Sequence, residues 1–278
     1  EISDLLCPES RPFMDAGIMG KVAIVGGASK GLGKAAAQAL AAEGVNLMLC
    51  SRTEDILART ASEISTAYPI RVEIYPGDLG HPETVDELVQ ETISQFKHVD
   101  ILVSNIGGPP PGSALEVSES DWNTAVNRTF LFFSRISKAV VPYMQAQGWG
   151  RIISILSSSI KDPIPDLVLS TSARLGAAGY LKALSLEVAK DNITVNNILP
   201  LDILTERQYD LAESLLAKQG GTGTIQDIIS AKAQANPSRR LGRPEEAGAL
   251  IAFLASEHAG FINGTNILID GGASTSVL

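Results

Sequence analysis

The sequence predicts a single α/β domain in which a doubly wound parallel sheet is covered by helices on both faces. Short apolar runs without polar alternation recur along the chain, and longer segments with helical periodicity separate them. Strands buried on both faces read as continuous apolar runs, and their alternation with helices is typical of a parallel sheet. With 278 residues, 45% of them hydrophobic, the chain is long enough to bury one large core.

The predicted elements alternate along the whole chain. The apolar runs predict strands at Val22–Val25, Val45–Cys50, Val72–Tyr75, Ile101–Val103, Ile152–Ile155 and Thr194–Ile198. Helices are predicted between them at Gly33–Glu43, Thr53–Thr66, Pro82–Phe96, roughly Trp122–Gln147 and Ser172–Lys190. Residues 21–278 form the predicted domain, which follows an N-terminal extension at 1–20.

Composition argues against several functional classes. Acidic residues outnumber basic ones by 31 to 22, which is unlike a nucleic-acid-binding surface. No apolar run approaches the roughly 18 residues of a membrane span. Cys7 and Cys50 do not make a disulfide framework, and residues 1–13 lack the basic and apolar regions of a signal peptide. We expect a cytoplasmic protein without a metal site and without nucleic-acid or membrane partners.

A glycine-rich loop follows the first predicted strand and leads directly into a helix. Its sequence is Gly26-Gly27-Ala28-Ser29-Lys30-Gly31-Leu32-Gly33. Glycines let the backbone turn tightly and bring N–H groups close to a pyrophosphate, which the positive end of the helix also favours. Tight turns need glycine in any case, so the position between a strand and a helix is what favours nucleotide binding. This arrangement is typical of a Rossmann-type fold.

The loop resembles the short-chain dehydrogenase/reductase signature Thr-Gly-x-x-x-Gly-x-Gly, with Gly26 at the threonine position. Further motifs resemble the family in the same order, from about Lys21 to Gly272. They are Asp78-Leu79, Ser104-Asn105-Ile106-Gly107, Val126-Asn127, Gly150–Ile153, Arg240–Glu246, Phe253–Ser256 and Asp270–Gly272. The resemblance implies hydride transfer between a nicotinamide dinucleotide and a small carbonyl or alcohol substrate, in a homo-oligomer that is a tetramer or a dimer.

The end of the second predicted strand indicates which dinucleotide is bound. Ser51 and Arg52 stand where NAD-binding sites usually carry an acidic residue for the ribose 2′-hydroxyl. Together with Lys30 they suit a 2′-phosphate, because arginine binds phosphate through charge-assisted hydrogen bonds. The alternative is that both cations are solvated surface residues. We favour NADP(H) over NAD(H). With the resemblance, the predicted cofactor-binding residues are Gly27, Ser29, Lys30, Gly31, Leu32, Gly33, Ser51, Arg52, Asp78, Leu79, Asn105, Gly107, Arg174, Pro200, Ile203 and Thr205.

The catalytic positions of the family are altered in this sequence. The family uses a serine, a helix asparagine and a Tyr-x-x-x-Lys pair, and the first two match Ser157 and Asn127. Ser170 and Arg174 stand at the tyrosine and lysine positions. A serine hydroxyl is a far weaker acid than a phenol, whose pKa is about 10, and an arginine stays protonated. Arg174 can therefore bind ribose hydroxyls or an oxyanion but cannot relay a proton.

Lys161 is the candidate that replaces the missing proton donor. It follows Ser157 by four residues, in a loop that lies beside the substrate in the family. Desolvation there would lower the pKa of a lysine enough for it to donate a proton. The alternative is a surface lysine paired with Asp162. In the catalytic hypothesis, Ser157 and Lys161 polarise the carbonyl group while Arg174 anchors the cofactor.

The substrate and the occurrence of catalysis are left open. Residues 205–240 form a predicted substrate lid whose mixed polarity does not identify a substrate. The segment Leu167–Arg174 resembles divergent family members called 3-oxoacyl-carrier-protein reductases, which favours a reductase without establishing its substrate. Because the tyrosine and lysine are replaced, the alternative is a catalytically degenerate NADP-binding protein with a regulatory or assembly role.

Overall fold

Seven parallel strands form one sheet in the computed structural model, which describes residues 15–218 and 223–277. The strand order is β3-β2-β1-β4-β5-β6-β7. The strands are β1 Val22–Gly26, β2 Asn46–Ser51, β3 Val72–Pro76, β4 Ile101–Ser104, β5 Gly150–Ile155, β6 Ile193–Pro200 and β7 Asn266–Ile269. The predicted doubly wound parallel sheet is confirmed, and β7 adds an edge strand to the six strands expected from sequence. Residues 1–14 of the predicted extension and 219–222 of the predicted lid lie outside the described residues.

Helices connect the strands and cover both faces of the sheet. They are α1 Gly31–Ala42, α2 Glu54–Ala67, α3 Pro82–Phe96, α4 Glu119–Ala125, α5 Leu131–Gln147, α6 Val168–Val188, α7 Glu206–Lys218, α8 Ile225–Ala235 and α9 Pro244–Ala255. The single helix predicted near Trp122–Gln147 is divided into α4 and α5 by a π-helical turn at Val126–Phe130. Among the helices that the structure describes, none has the length and apolar character needed to cross a bilayer.

The core consists of two apolar layers, one on each face of the sheet. Successive residues of β1 alternate between them, so that Ile24 packs with Phe132 and Val25 packs with Leu40. Since side chains alternate across a strand, a strand covered on both sides must be apolar at every position. This explains why the β1 sequence shows no polar alternation.

Residues 15–20 pack onto the domain, although the sequence places them in an extension. Ile18 is fully buried in the layer that contains the α1 and α9 side chains. The Ala16 carbonyl accepts a hydrogen bond of 3.0 Å from the Glu257 N–H group, and the Asp15 carbonyl lies 2.8 Å from His258 Nε2. Ala16 and Ile18 of this short segment are thus buried at the edge of the core.

Helices α1 and α9 approach each other closely at Gly248. A Cβ atom at this position would lie 2.6 Å from the Ala35 carbonyl oxygen. We expect Gly248→Ala to lower the free energy of unfolding by about 1–3 kcal/mol, because the two helices would have to separate. Gly179→Ala in α6 is the matched control, since nothing lies within 4 Å of its Cβ position. Alanine at position 179 should raise the free energy of unfolding by up to about 1 kcal/mol, because alanine has a higher helix propensity than glycine. Urea unfolding measures both, and equal effects would contradict the close packing.

Candidate active site

The loop after β1 has the backbone conformation that a phosphate cradle requires. Gly27 and Gly31 have φ angles of +58° and +57°, a region that side-chain-bearing residues rarely adopt. A Cβ atom at Gly33 would collide with the carbonyl oxygen of Gly27. Lys30 lies at the N-cap of α1, whose first N–H groups therefore face the loop. The three predicted glycines are needed for this close turn, and the loop fits a dinucleotide pyrophosphate.

Two predicted cofactor-binding residues lie at the end of β2 without partners of their own. Ser51 is buried, and its hydroxyl has no hydrogen-bond partner among the described residues. Arg52 is exposed and forms no ion pair within the same part of the chain. The charge of Arg52 reaches Asp78, which is also held by Arg128 through two hydrogen bonds of 2.7 and 2.9 Å. Partial burial acts to raise the pKa of Asp78. The hydrogen bonds and charge of Arg128 and, more weakly, the charge of Arg52 outweigh this effect and keep the pKa below its usual value.

The end of β4 contacts the glycine loop directly. Asn105 Nδ2 donates a 3.3 Å hydrogen bond to the Gly26 carbonyl, and a Cβ atom at Gly27 would lie 2.6 Å from the same nitrogen. Leu79 is buried against Gly26. Gly107, which follows in the same loop, has open space around its Cβ position. These contacts bring the predicted residues of three strand ends to one edge of the sheet.

Ser157 begins a short 3-10 helix after β5. Its hydroxyl oxygen accepts a hydrogen bond of 3.2 Å from the Ser159 N–H group and so caps the turn Ser158–Ile160. The Ser158 and Ser159 hydroxyls are buried without partners in the described residues. Helix α6 packs against this turn and carries Ser170 and Arg174.

Ser170 and Arg174 contact each other, as their spacing of four on a helix permits. Arg174 donates a 2.6 Å hydrogen bond to the Ser170 hydroxyl and a 3.4 Å hydrogen bond to the Ile106 carbonyl. Burial, together with the positive charge of Arg207, lowers the pKa of Arg174 to about 10. The group therefore remains a cation at neutral pH, in agreement with a binding role and not a proton relay.

Lys161 does not pair with Asp162, which was the alternative to its catalytic role. The Asp162 carboxylate instead accepts hydrogen bonds from the Ser274 hydroxyl and, at 3.1 Å, from the Thr275 N–H group. The Ser274 hydrogen bond is the largest cause that keeps the pKa of Asp162 below its usual value. The partly buried Lys161 has no ion pair within the described residues, so its ammonium group stays available.

Asn127 lies in the π-helical turn, and its side chain points to a different surface. Its Nδ2 group donates a 2.9 Å hydrogen bond to the Asn123 carbonyl, and its own carbonyl accepts one of 3.0 Å from Arg135. It faces an open cleft that contains neither Ser157 nor Ser170. The residues that line the cleft are Gly80, His81, Pro82, Glu119, Ser120, Asn123, Thr124, Asn127, Arg128 and Arg135. The catalytic role of Asn127 stays a prediction.

The segment after β6 closes the other side of the site. Pro200 ends β6, Ile203 is buried, and Thr205 lies 3.5 Å from the Cβ position of Gly31. The start of the predicted lid therefore contacts the phosphate-binding loop. Helices α7 and α8 of the lid pack on each other.

Two arginines near the site are not among the residues predicted from sequence. Arg128 follows Asn127 and pairs with Asp78. Arg207 is the second residue of α7, and its positive charge contributes to lowering the pKa of Arg174. The sequence signal for Arg128 is a cation next to a family motif, and that for Arg207 is a cation near the start of the predicted lid. Their partners are far away in the chain, so the signal does not reveal their role.

Comparisons with known proteins place this geometry among reductases. Residues 27–274 match the family model described as Enoyl-(Acyl carrier protein) reductase. The chain is 31% identical over 259 residues to the NADPH-dependent reductase BacG of Bacillus subtilis (strain 168), covering 92% of this chain and 99% of that protein. It is 31% identical over 251 residues to the short-chain reductase protein NovJ of Streptomyces niveus, covering 90% and 93%. L-Sorbose reductase from Gluconobacter frateurii, solved with NADPH and L-sorbose, has a TM-score of 0.90 and 32% identity over 95% of this chain and 100% of that chain.

Proposed function

The chain belongs to the short-chain dehydrogenase/reductase family, and on this premise we propose that it is an NADP(H)-dependent oxidoreductase acting on a small carbonyl or alcohol substrate. The observation that carries the proposal is the glycine cradle beside a strand end with an unpaired hydroxyl and an unpaired arginine. The NADPH dependence of BacG and the NADPH complex of the sorbose reductase support the choice of cofactor. When bound, NADPH would supply the hydride.

In the proposal, three groups of residues hold the dinucleotide. The N–H groups of the glycine loop and of the start of α1 bind the pyrophosphate, and Ser51 and Arg52 bind the 2′-phosphate. Asp78, Leu79 and Asn105 border the adenine and support the loop, as the family resemblance implies. Arg174 holds the nicotinamide ribose hydroxyls through its remaining N–H groups.

The proposed proton donor is Lys161, and Ser157 orients the carbonyl group. General acid catalysis requires a group that loses its proton near neutral pH and lies within hydrogen-bond reach of the carbonyl oxygen. Arg174 remains charged and Ser170 is too weak an acid, so neither meets this requirement. The hydrogen bonds from the C-terminal residues to Asp162 support the proposal, because they leave the Lys161 ammonium group unpaired.

Arg52→Ala tests the cofactor assignment. We expect this change to weaken NADPH binding about 10- to 100-fold through loss of a charge-assisted contact, with NADH affinity changed by less than about 3-fold. Fluorescence titration measures both. Arg59→Ala, in the neighbouring helix α2 and equally exposed, is the control and should change neither. If the wild-type protein binds neither dinucleotide, the cofactor assignment is wrong.

Lys161→Met tests the proton donor. NADPH oxidation over a panel of aldehydes, ketones and oxo acids should fall by at least about 100-fold, while NADPH affinity stays nearly the same. Lys190→Met, an exposed lysine after α6, is the control. Unchanged turnover would exclude Lys161. A wild-type protein that binds NADPH but reduces nothing would favour the catalytically degenerate alternative.

We further propose a homo-oligomer, because the terminal segment Phe261–Gly272 resembles that of oligomeric family members. Phe261 is fully exposed in the single chain. A large apolar side chain in contact with water is unfavourable, and a contact with a second copy would bury it. Phe261→Ser should therefore reduce the mass measured by sedimentation velocity. Leu115→Ser is the control, since Leu115 is also fully exposed but lies in a different loop. A monomeric wild-type protein would refute the proposal.

A further inference from the structure

Arg174 is a buried cation without a counter-ion in the described part of the chain. The residue is only 7% exposed, and its two side-chain hydrogen bonds within the described residues go to uncharged groups, the Ser170 hydroxyl and the Ile106 carbonyl. Its Nε–H group has no hydrogen-bond partner among the residues that the structure describes. None of the ion pairs among the described residues includes it. Burying a charge in this way costs several kcal/mol unless an anion compensates it.

The other deeply buried arginine shows how this fold compensates such a charge with its own groups. Arg151 is 0% exposed, and its guanidinium lies 3.7 Å from a Glu257 carboxylate oxygen. It also donates to the Gly150 carbonyl at 2.9 Å and packs on the Trp149 ring at 4.3 Å. Arg151 thus behaves as a structural residue with an internal counter-ion. Arg174 has none among the described residues, so its charge favours a bound anion.

A second arginine, Arg207, further favours an anion near Arg174. Arg207 is exposed in the first turn of α7, has no ion pair within the described residues, and repels the Arg174 charge. Two like charges that repel each other favour an anion that binds near both.

We infer that Arg174, Ser170 and Arg207 bind a carboxylate of the substrate, so that the substrate is an oxo acid. This inference rests on the proposed function. Ser170 and Ile106 use two of the guanidinium N–H groups, and the others can bind a carboxylate and a ribose hydroxyl. In the reaction, the carbonyl carbon receives a hydride from NADPH and its oxygen receives a proton, while the carboxylate is unchanged. The product is a hydroxy acid.

The cofactor pyrophosphate is the other possible source of the anion. Glu206 and Thr205, which precede Arg207, lie 3.5 Å from the Cβ position of Gly31 in the phosphate-binding loop. The experiment must therefore measure the carboxylate on protein that is already saturated with dinucleotide. NADP⁺ suits this purpose, because it has no hydride to transfer and the ligand stays intact.

The test is calorimetric titration of the NADP⁺-saturated protein with 2-oxohexanoate and 4-oxopentanoate, each compared with its uncharged methyl ester. We expect at least one acid to bind about 10-fold or more tightly than its ester. Arg174→Lys should weaken binding of that acid about 10- to 100-fold, because lysine lacks the bidentate geometry. NADP⁺ affinity should change less than about 3-fold, because the lysine ammonium group can still donate to the ribose hydroxyls. Arg207→Gln, at an exposed position, should weaken it about 3- to 10-fold. Arg59→Gln is the control and should have no effect.

Either of two results would overturn the inference. In the first, both esters bind the wild-type complex as tightly as the acids. In the second, Arg174→Lys weakens NADP⁺ and acid binding equally, which would assign the anion to the cofactor. Failure of the proposed function differs from both, because then neither NADP⁺ nor NADPH would bind. Failure of the inference alone leaves dinucleotide binding and the reduction of uncharged carbonyl compounds intact.

Discussion

Parallel pairing of β1 with β2 on one side and with β4 on the other determines where the parts of the site lie. Val25 is in register with Leu49 of β2 and with Val103 of β4, so the three strands end at the same edge of the sheet. The connections that leave β1 and β4 cover opposite faces, which opens a crevice between the loops. The Asn105 hydrogen bond to Gly26 then fixes the two loops against each other. The glycine conformations, the cofactor residues and the catalytic candidates all depend on this arrangement.

Charge compensation distinguishes the two buried arginines of the described chain. Arg151 pairs with the Glu257 carboxylate, whereas Arg174 has no carboxylate partner among the described residues. Cations at the crevice have no such partners among the described residues; they are Lys30, Arg52, Lys161, Arg174 and Arg207. The crevice is thereby suited to ligands with several negative charges, such as a phosphorylated dinucleotide.

Contacts between distant parts of the chain decide which side chains are available for chemistry. Asp162 follows Lys161 directly, yet the C-terminal residues Ser274 and Thr275 bind its carboxylate. The π-helical turn at Val126–Phe130 likewise directs Asn127 toward the surface formed with α3 and α4. In both places the backbone conformation or a distant partner decides which groups the side chain contacts, and the sequence motif alone does not show this. A motif match therefore indicates a position in the fold more reliably than it indicates a role.

The sequence by itself determined the fold class, the position of six strands and the glycine loop. These features are local, because apolar periodicity and glycine content depend on neighbouring residues only. The family resemblance also predicted that Ser170 and Arg174 stand at the tyrosine and lysine positions. Only the tertiary structure decided that residues 15–20 cover the core, that Asp162 is held by the C-terminal residues, and that Arg174 is buried with no counter-ion among the described residues. Burial and charge compensation depend on residues that are distant in the chain, and no local pattern records which of them meet.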